Sequence, residues 1–246
     1  MLALGLLVLT ALLLVGLTFW RRRSSTSAPL RLIEAYERLN RAVGLAVENG
    51  TRLHISLGRG NFFTSRAGSA LAGLAMLRRL SERTSVSDRP PVVTSGDASL
   101  SILSQDTLQA GYRAAGAQDQ YRFTTGRLTG LTPFSYAAGA LPAIHDENVS
   151  ANIVIGDLGA ESALLAEAAD RENTSLIAAS DDLSAQSIFF ATAQDPLVGE
   201  ELFAAGAYVG AGASHEASLH VQDILRWIVI LAIILGSVLK FLGAPI

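Results

Sequence analysis

The chain has 246 residues, 19 of them lysine or arginine and 22 aspartate or glutamate, and it contains no cysteine. The lack of cysteine excludes disulfides, thiolate catalysis and cysteine-ligated zinc. The only lysine, Lys240, lies in an apolar C-terminal run, so the rest of the chain has none for a Schiff base or a phosphate loop. The remaining charge is mildly acidic, and general binding of nucleic acid is therefore not expected.

Two apolar runs, Met1–Trp20 and Trp227–Ile246, are each long enough to cross a bilayer, because twenty helical residues span about 30 Å. An export signal has its positive charge before the apolar run, whereas Arg21–Arg23 follow the first run here. The pattern therefore predicts a retained anchor at each end. The alternatives are a cleaved signal at the N-terminus and helices buried in a protein core.

The flanking charges predict an orientation. Arg21–Arg23 and Arg226 lie on the side of the central segment, and Lys240 alone lies on the other. Because basic residues near membrane ends mark the cytoplasmic face, both termini are expected outside and the central segment inside. The expected plan is a transmembrane helix at 1–20, a basic and polar linker at 21–29, a cytoplasmic domain at 30–213, and a juxtamembrane helix continuing into the second transmembrane helix at 214–246.

Between the anchors, an amphipathic helix is predicted over 30–48, followed by a regular alternation of short apolar segments and helical ones. Strands are predicted at 52–58, 90–96, 120–126, 150–159 and 174–181. Helices are predicted at 69–84, 101–116, 133–148 (interrupted by Pro142), 160–173, 184–195 and 199–214, with Ser214 as the cap of the last long helix. This alternation predicts a Rossmann-like, doubly wound α/β domain with a mainly parallel sheet, flanked by two transmembrane helices.

The candidate ligand site is the edge of the sheet where the strands end, since open parallel sheets bind ligands outside the carboxyl ends of their strands. Backbone amides and arginines there suit a small anion. The predicted ligand-binding residues are Gly58, Arg59, Gly60, Ser95, Asp97, Arg127, Gly156, Asp157 and Asp181. Turn geometry and helix capping explain the same residue types without a ligand, and a magnesium site formed by the four aspartates Asp97, Asp157, Asp181 and Asp182 is a further alternative.

No catalytic set emerges from the motifs. The stretch GRGNFF departs from a dinucleotide fingerprint, because its third glycine would fall at Phe63. In HEASLH the two histidines, His215 and His220, are five residues apart, so they do not share the helix face that a zinc site needs. The histidines His54 and His145 have no partner that the sequence shows, so we interpret them as core or surface residues. We therefore predict no catalytic residue, no metal and no resident cofactor.

The stretch ELFAAGAYVGAGASHEASLHVQDILRW, with the GRG after the first strand, resembles a group of bacterial membrane proteins known only as a domain of unknown function. The resemblance implies the anchor–domain–anchor plan and no activity. The small residues of this stretch suit close helix packing, either on the domain's own sheet or against another copy.

Three functions remain open. The first is a structural protein that self-associates into a membrane assembly, possibly a ring, with the lipid bilayer and itself as partners. The second is a binder of a small anionic ligand or nucleotide, or an enzyme acting on one, at the strand ends. The third is an accessory subunit of a membrane complex.

Overall fold

The computed structural model describes residues 2–23, 30–64 and 66–242. Most of the predicted linker, residues 24–29, lies outside the described residues. The chain divides into two compact units. We call Met1–Leu30 together with Gly212–Ile246 the terminal unit, and Arg31–Ala211 the central unit.

The terminal unit contains helices α1 (Leu2–Arg23) and α9 (Ala213–Phe241), which pack against each other. Both are long and apolar enough to cross a membrane, and no residue of the most apolar window of either is buried. That exposure argues against two core helices. Arg21 of α1 is buried and contacts α9, with its Nη2 2.5 Å from His220 Nε2 and its Nη1 3.9 Å from Glu216 Oε2.

The central unit is built on one six-stranded sheet in which every strand pair is parallel. The strands are β1 (Arg52–Gly58), β2 (Val92–Ser95), β3 (Gly126–Leu128), β4 (Val149–Asp157), β5 (Ser175–Ser180) and β6 (Asp195–Leu197). Their spatial order is β3-β2-β1-β4-β5-β6, which is the Rossmann order. The predicted fold class is confirmed, and the order reverses between β1 and β4.

Helices cover both faces of the sheet, so most residues of its strands are buried, on both faces rather than on one. These helices are α2 (Glu34–Glu48), α3 (Ala67–Thr84), α4 (Ala98–Ala114), α5 (Pro133–His145), α6 (Ser162–Arg171), α7 (Leu183–Thr192) and α8 (Glu201–Tyr208). One face, including Ile55 and Ile153, packs against α2, α3, α4 and α8. The other, including Val154 and Ala178, packs against α5, α6 and α7.

A row of buried polar side chains crosses the middle of the sheet. His54 Nε2 lies 2.9 Å from Thr94 Oγ1, and His54 Nδ1 lies 2.9 Å from Asn152 Oδ1. The Asn152 amide donates to Thr174 Oγ1 at 2.6 Å. Burial is the main cause that lowers the pKa of His54 to about 4, so its imidazole is neutral at physiological pH. His54 is a core residue whose ring nitrogens are both hydrogen-bonded.

The predicted strand at 120–126 is wrong. Two 3-10 turns, Gln118–Gln120 and Phe123–Thr125, occupy most of it, and β3 begins only at its last residue. The physical reason is that Tyr121 packs against α4: its ring lies 6.0 Å from that of Tyr112, and its hydroxyl donates to the Gln105 carbonyl at 3.1 Å. The aromatic residue thus serves helix packing rather than a strand.

Near the C-terminus, the predicted helix over 199–214 ends early, because α8 stops at Tyr208. Gly210 (φ +74°) and Gly212 (φ +132°) adopt conformations that favour glycine and separate α8 from α9. Gly212, rather than Ser214, is the cap of α9. Most of α8 is buried, and it packs on α3 and β5, so this small-residue stretch packs within the central unit.

Candidate functional site

The crevice where the strand order reverses is the candidate functional site, because ligands of open α/β sheets bind at that point. We call it the switch crevice and define it by residues 58–61, 66, 95–97, 156–161 and 180–182. Main-chain hydrogen bonds hold its loops together: the Arg59 amide donates to the Asp157 carbonyl and the Gly96 amide to the Gly58 carbonyl, both at 2.8 Å. These bonds join the ends of β1, β2 and β4 at the crevice.

Two glycines form the floor of the crevice by close backbone approach. Gly58 has φ +68°, and a Cβ there would clash with the Asp157 carbonyl. Gly156 has φ +145°, and a Cβ there would clash with the Leu57 carbonyl. Glycine is needed at both positions for conformation and for space. Gly60 has a packing role, because its Cβ would lie 2.9 Å from that of Ala70 at the start of α3.

The side chain of Arg59 lies across the crevice and is paired. Its Nε donates to Glu161 Oε1 at 3.0 Å, and Glu161 is only 2% exposed. A Cβ on Gly96 would clash with the Arg59 side chain, which shows how tightly the arginine lies on that loop. The positive charge that the sequence offers to a ligand is therefore neutralised by a carboxylate of the same protein.

A second arginine, Arg66, bridges two further strand ends. Its Nη1 lies 2.7 Å from Asp157 Oδ1 and 3.1 Å from Asp182 Oδ2. Asp181, beside them, has a buried Oδ1 without a hydrogen-bond partner among the described residues. Burial and the nearby charge of Asp157 raise the pKa of Asp181.

The other predicted residues serve the fold. Asp97 caps α4 by accepting a hydrogen bond from the Leu100 amide at 3.1 Å. Ser95 is buried and donates to the Arg127 carbonyl at 3.3 Å. Arg127 does not belong to the crevice. Its guanidinium pairs with Glu147, which precedes β4 and so lies at the amino-terminal edge of the sheet.

The charge of the crevice differs from the expectation. Five carboxylates (Asp97, Asp157, Glu161, Asp181 and Asp182) share it with two guanidiniums (Arg59 and Arg66). Within the described ranges, no group of three or more histidine, cysteine, aspartate or glutamate side chains is placed to hold a metal. An anion that enters the crevice must compete with the protein's own carboxylates for both arginines.

A family model for a domain of unknown function, DUF6754, matches residues 1–245. The chain belongs to the DUF6754 family. The resemblance to an uncharacterised family is thereby confirmed. No curated protein and no solved structure matches this DUF6754 chain.

Sequence reasoning missed three side chains of the switch crevice: Arg66 and Glu161, whose ion pairs are described above, and Tyr136 at its centre. The hydroxyl of Tyr136, on α5, accepts a hydrogen bond from the Gly58 amide at 3.2 Å and pairs with the Ser56 hydroxyl. Burial raises the pKa of Tyr136, so the phenol stays neutral. Nothing in the sequence around Tyr136 distinguishes it from an ordinary buried helix residue. Its role depends on α5 crossing the ends of β1 and β2.

Proposed function

We propose that this DUF6754 protein is a membrane-anchored structural protein whose central unit binds further copies of itself. The observation that carries the proposal is that large apolar side chains are exposed at both outer edges of the sheet. The β3-edge patch consists of Phe123, Leu128, Leu131 and Phe134, which are 45–73% exposed. The β6-edge patch consists of Leu183, Phe190 and Val198, which are 47–79% exposed. Several exposed large apolar side chains near one edge of a sheet favour a protein-interaction site there.

The two patches differ from each other, which favours contact between one edge of a copy and the opposite edge of the next. Such a head-to-tail contact closes into a ring when its rotation fits a whole number of copies. Two membrane anchors would hold all copies in one plane and favour closure. The proposed assembly is therefore cyclic about the membrane normal.

The distribution of charged residues also favours contact between the β3 edge of one copy and the β6 edge of the next. Residues 172–214, which include the β6-edge patch, contain six acidic residues and no basic one. Residues 98–134, which include the β3-edge patch, contain three arginines and two aspartates. Opposite net charges favour contact between a β3 edge and a β6 edge, and the repulsion of two acidic segments disfavours contact between two β6 edges.

The proposed contact uses side chains rather than added strands. Both edge strands have only three residues, and β6 contains Pro196, which has no N–H to donate to a neighbouring strand. Short edges with proline resist uncontrolled strand addition. Association of a defined number of copies is thus favoured over open-ended aggregation.

For the orientation, we propose the cytoplasmic side for the central unit and the outside for both termini. The contact of Arg21 with His220 and Glu216 sets the basic end of α1 beside the first turns of α9. Arg226 follows shortly after on α9, so the arginines fall at one end of the helix pair and Lys240 at the other. That distribution supports the cytoplasmic assignment by the positive-inside rule. Digestion of the central unit by protease added to intact cells would contradict it.

The self-association is tested on the full chain, extracted in mild detergent and weighed by mass photometry. The wild type is expected to give a multiple of the chain mass. Phe134→Asp and Phe190→Asp, one in each patch, are expected to shift the distribution to smaller species. Phe63→Asp is the matched control, because Phe63 is 91% exposed but belongs to neither patch. A single-chain mass for the wild type would remove the proposal, and co-purification of another protein would then favour an accessory subunit.

The head-to-tail geometry has its own test, because the chain has no native cysteine. Leu131→Cys and Leu183→Cys each introduce one thiol, in the β3-edge and the β6-edge patch respectively. Mild oxidation is expected to cross-link the mixture of the two variants and neither variant alone. Cross-linking within either single variant would instead indicate a symmetric contact.

A small anionic ligand or nucleotide in the switch crevice is the second candidate, favoured by the Rossmann strand order. Because Arg59 and Arg66 are already paired, a ligand must displace carboxylates to bind. A thermal-shift screen of nucleotides and acidic metabolites tests it. Its control is the double variant Arg59→Ala, Glu161→Gln, which avoids leaving a buried unpaired carboxylate. Lack of any stabilisation of the wild type would contradict it.

A further inference from the structure

We propose that a cavity at the amino-terminal ends of β1, β2 and β3 binds a small molecule through a phosphate or carboxylate group. The cavity has a volume of about 400 Å³. Its walls include Arg52, the first residue of β1, Pro90 before β2, and Thr125 before β3. We call it the amino-edge cavity. It lies at the opposite end of the strands from the switch crevice, and its wall residues Arg122 and Thr124 flank Phe123 of the β3-edge patch.

Two buried polar groups, on residues that line this cavity, lack partners. Tyr112 is 2% exposed, and its hydroxyl makes no hydrogen bond to any described residue. The Nε of Arg52 is likewise buried and unpaired in the part of the chain that the structure describes. Buried polar groups are almost always hydrogen-bonded, so both atoms require a partner. Because an arginine N–H can only donate, that partner must be an acceptor.

The charge around the cavity favours an acceptor that is an anion. Glu147 binds both Arg52 and Arg127, one guanidinium on each carboxylate oxygen, so two positive charges share one negative charge. Arg122, a third wall residue, forms no ion pair with the described residues. The acidic wall residues, Asp88 and Asp119, are exposed to solvent, as is Arg122, so the charges of all three are screened. The partly buried charges are those of Arg52, Arg127 and Glu147, and they sum to one positive charge. Guanidiniums bind phosphate and carboxylate in a bidentate manner.

Tyr112 remains a donor under physiological conditions. Burial, opposed by the charge of Arg52, raises the pKa of Tyr112 to about 12. The phenol is therefore neutral and can donate its proton to an oxyanion. Further along the wall, Ser87, Thr124 and Gln120 offer hydrogen bonds to the uncharged part of a ligand. The volume falls in the range of small-molecule sites, about 300–1,000 Å³. The ligand class is thus a small phosphorylated or carboxylated molecule, or a lipid headgroup that carries the same phosphate.

The experiment uses the full chain in detergent, with binding followed by thermal shift and isothermal titration. The probes are inorganic phosphate, glycerol 3-phosphate, succinate and the short-chain lipid dihexanoyl phosphatidic acid. Stabilisation by a soluble probe identifies a free ligand, and stabilisation by the lipid alone identifies a headgroup. Either result supports an oxyanion site, and no binding by any of the four at millimolar concentration would overturn it.

Variants separate this site from general charge effects. Arg122→Gln and Tyr112→Phe are each expected to weaken binding by about tenfold, the usual effect of losing a hydrogen bond to a charged group. Arg113→Gln, an exposed arginine that follows Tyr112 on α4 and is not a wall residue, is the control and should leave the affinity unchanged.

Tyr112→Phe also has a readout without ligand. It removes a hydroxyl that has no partner, so the free protein should be as stable as the wild type or more stable. A clear loss of stability in the free variant, or unchanged affinity in both cavity variants, would contradict the proposal.

Discussion

Replacing His54 should change how stability depends on pH. The pKa of this buried histidine is lowered to about 4 in the folded state, mainly by burial, from an unfolded value of about 6.5. The unfolded chain therefore binds more protons than the folded one below pH 6.5. Stability from this group is complete above pH 6.5 and is lost as the pH falls toward 4.

The size of the effect follows from the two pKa values. The full difference corresponds to about 3 kcal/mol, of which about 2 kcal/mol is already lost at pH 5. The nearest charges act in opposite directions, since Glu147 raises the pKa of His54 and Arg127 lowers it. Burial, the largest cause, therefore sets the sign.

The measurement is urea unfolding of the full chain in detergent between pH 5 and pH 7.5, followed by circular dichroism. His54→Gln, which keeps a donor and an acceptor, should show a flatter slope than the wild type. The control Thr94→Val removes one hydrogen-bond partner of His54 but leaves the imidazole buried. It should lower stability at every pH and keep the slope. Equal slopes for His54→Gln and the wild type would refute the reasoning.

The remaining predictions concern local packing and are measured by the same unfolding assay at neutral pH. Gly156→Ala should cost about 3 kcal/mol, because its φ of +145° is strained for alanine and a Cβ would meet a carbonyl. Gly44→Ala, on α2 where a Cβ meets nothing within 4 Å, should instead raise stability by about 0.5–1 kcal/mol, and a loss there would contradict the helix. Arg59→Ala should cost about 2–4 kcal/mol by leaving Glu161 buried and unpaired, and adding Glu161→Gln should recover much of that loss. No recovery would mean that the ion pair is unimportant. Leu202→Ala, at a fully buried position of α8, should cost about 2–5 kcal/mol, and a much smaller loss would argue against the packing of α8.

The sequence predicted the centre of the sheet well because β4 and β5 contain unbroken apolar runs and β1 has an apolar residue at every second position. The strand predictions at 52–58, 150–159 and 174–181 match β1, β4 and β5 within one or two residues at each end. Burial on both faces leaves little choice of residue type there, so composition alone is informative. The parallel arrangement followed from the intervening helices.

The edges of the sheet were poorly predicted because the edge strands are too short to show a pattern. The edge strands β3 and β6 have three residues each, too few for a periodic pattern. In β6 the proline at position 196 argues against a strand, because proline is rare inside sheets, and the sequence there is typical of a loop. Such strands are specified by their neighbours, and that information lies in tertiary contacts.

The sequence predicted the glycine turns of the candidate site, but it did not predict which carboxylates pair with its arginines. Glycine at positions 58 and 156 follows from the local turn and close approach, which a sequence pattern can show. The pairing of Arg59 with Glu161 joins residues 102 positions apart, and that of Arg127 with Glu147 depends on the direction of a long side chain. Propensity and spacing do not encode those directions.

The contact between Arg21 and His220 has a consequence for the order of synthesis. The two residues are 199 positions apart, with the entire central unit between them. At roughly 5–20 residues per second, about 10–40 seconds separate the emergence of the two helices from the ribosome. If both helices span a membrane, the first enters it before the α/β domain has been synthesised, and the helical pair can form only after α9 has emerged.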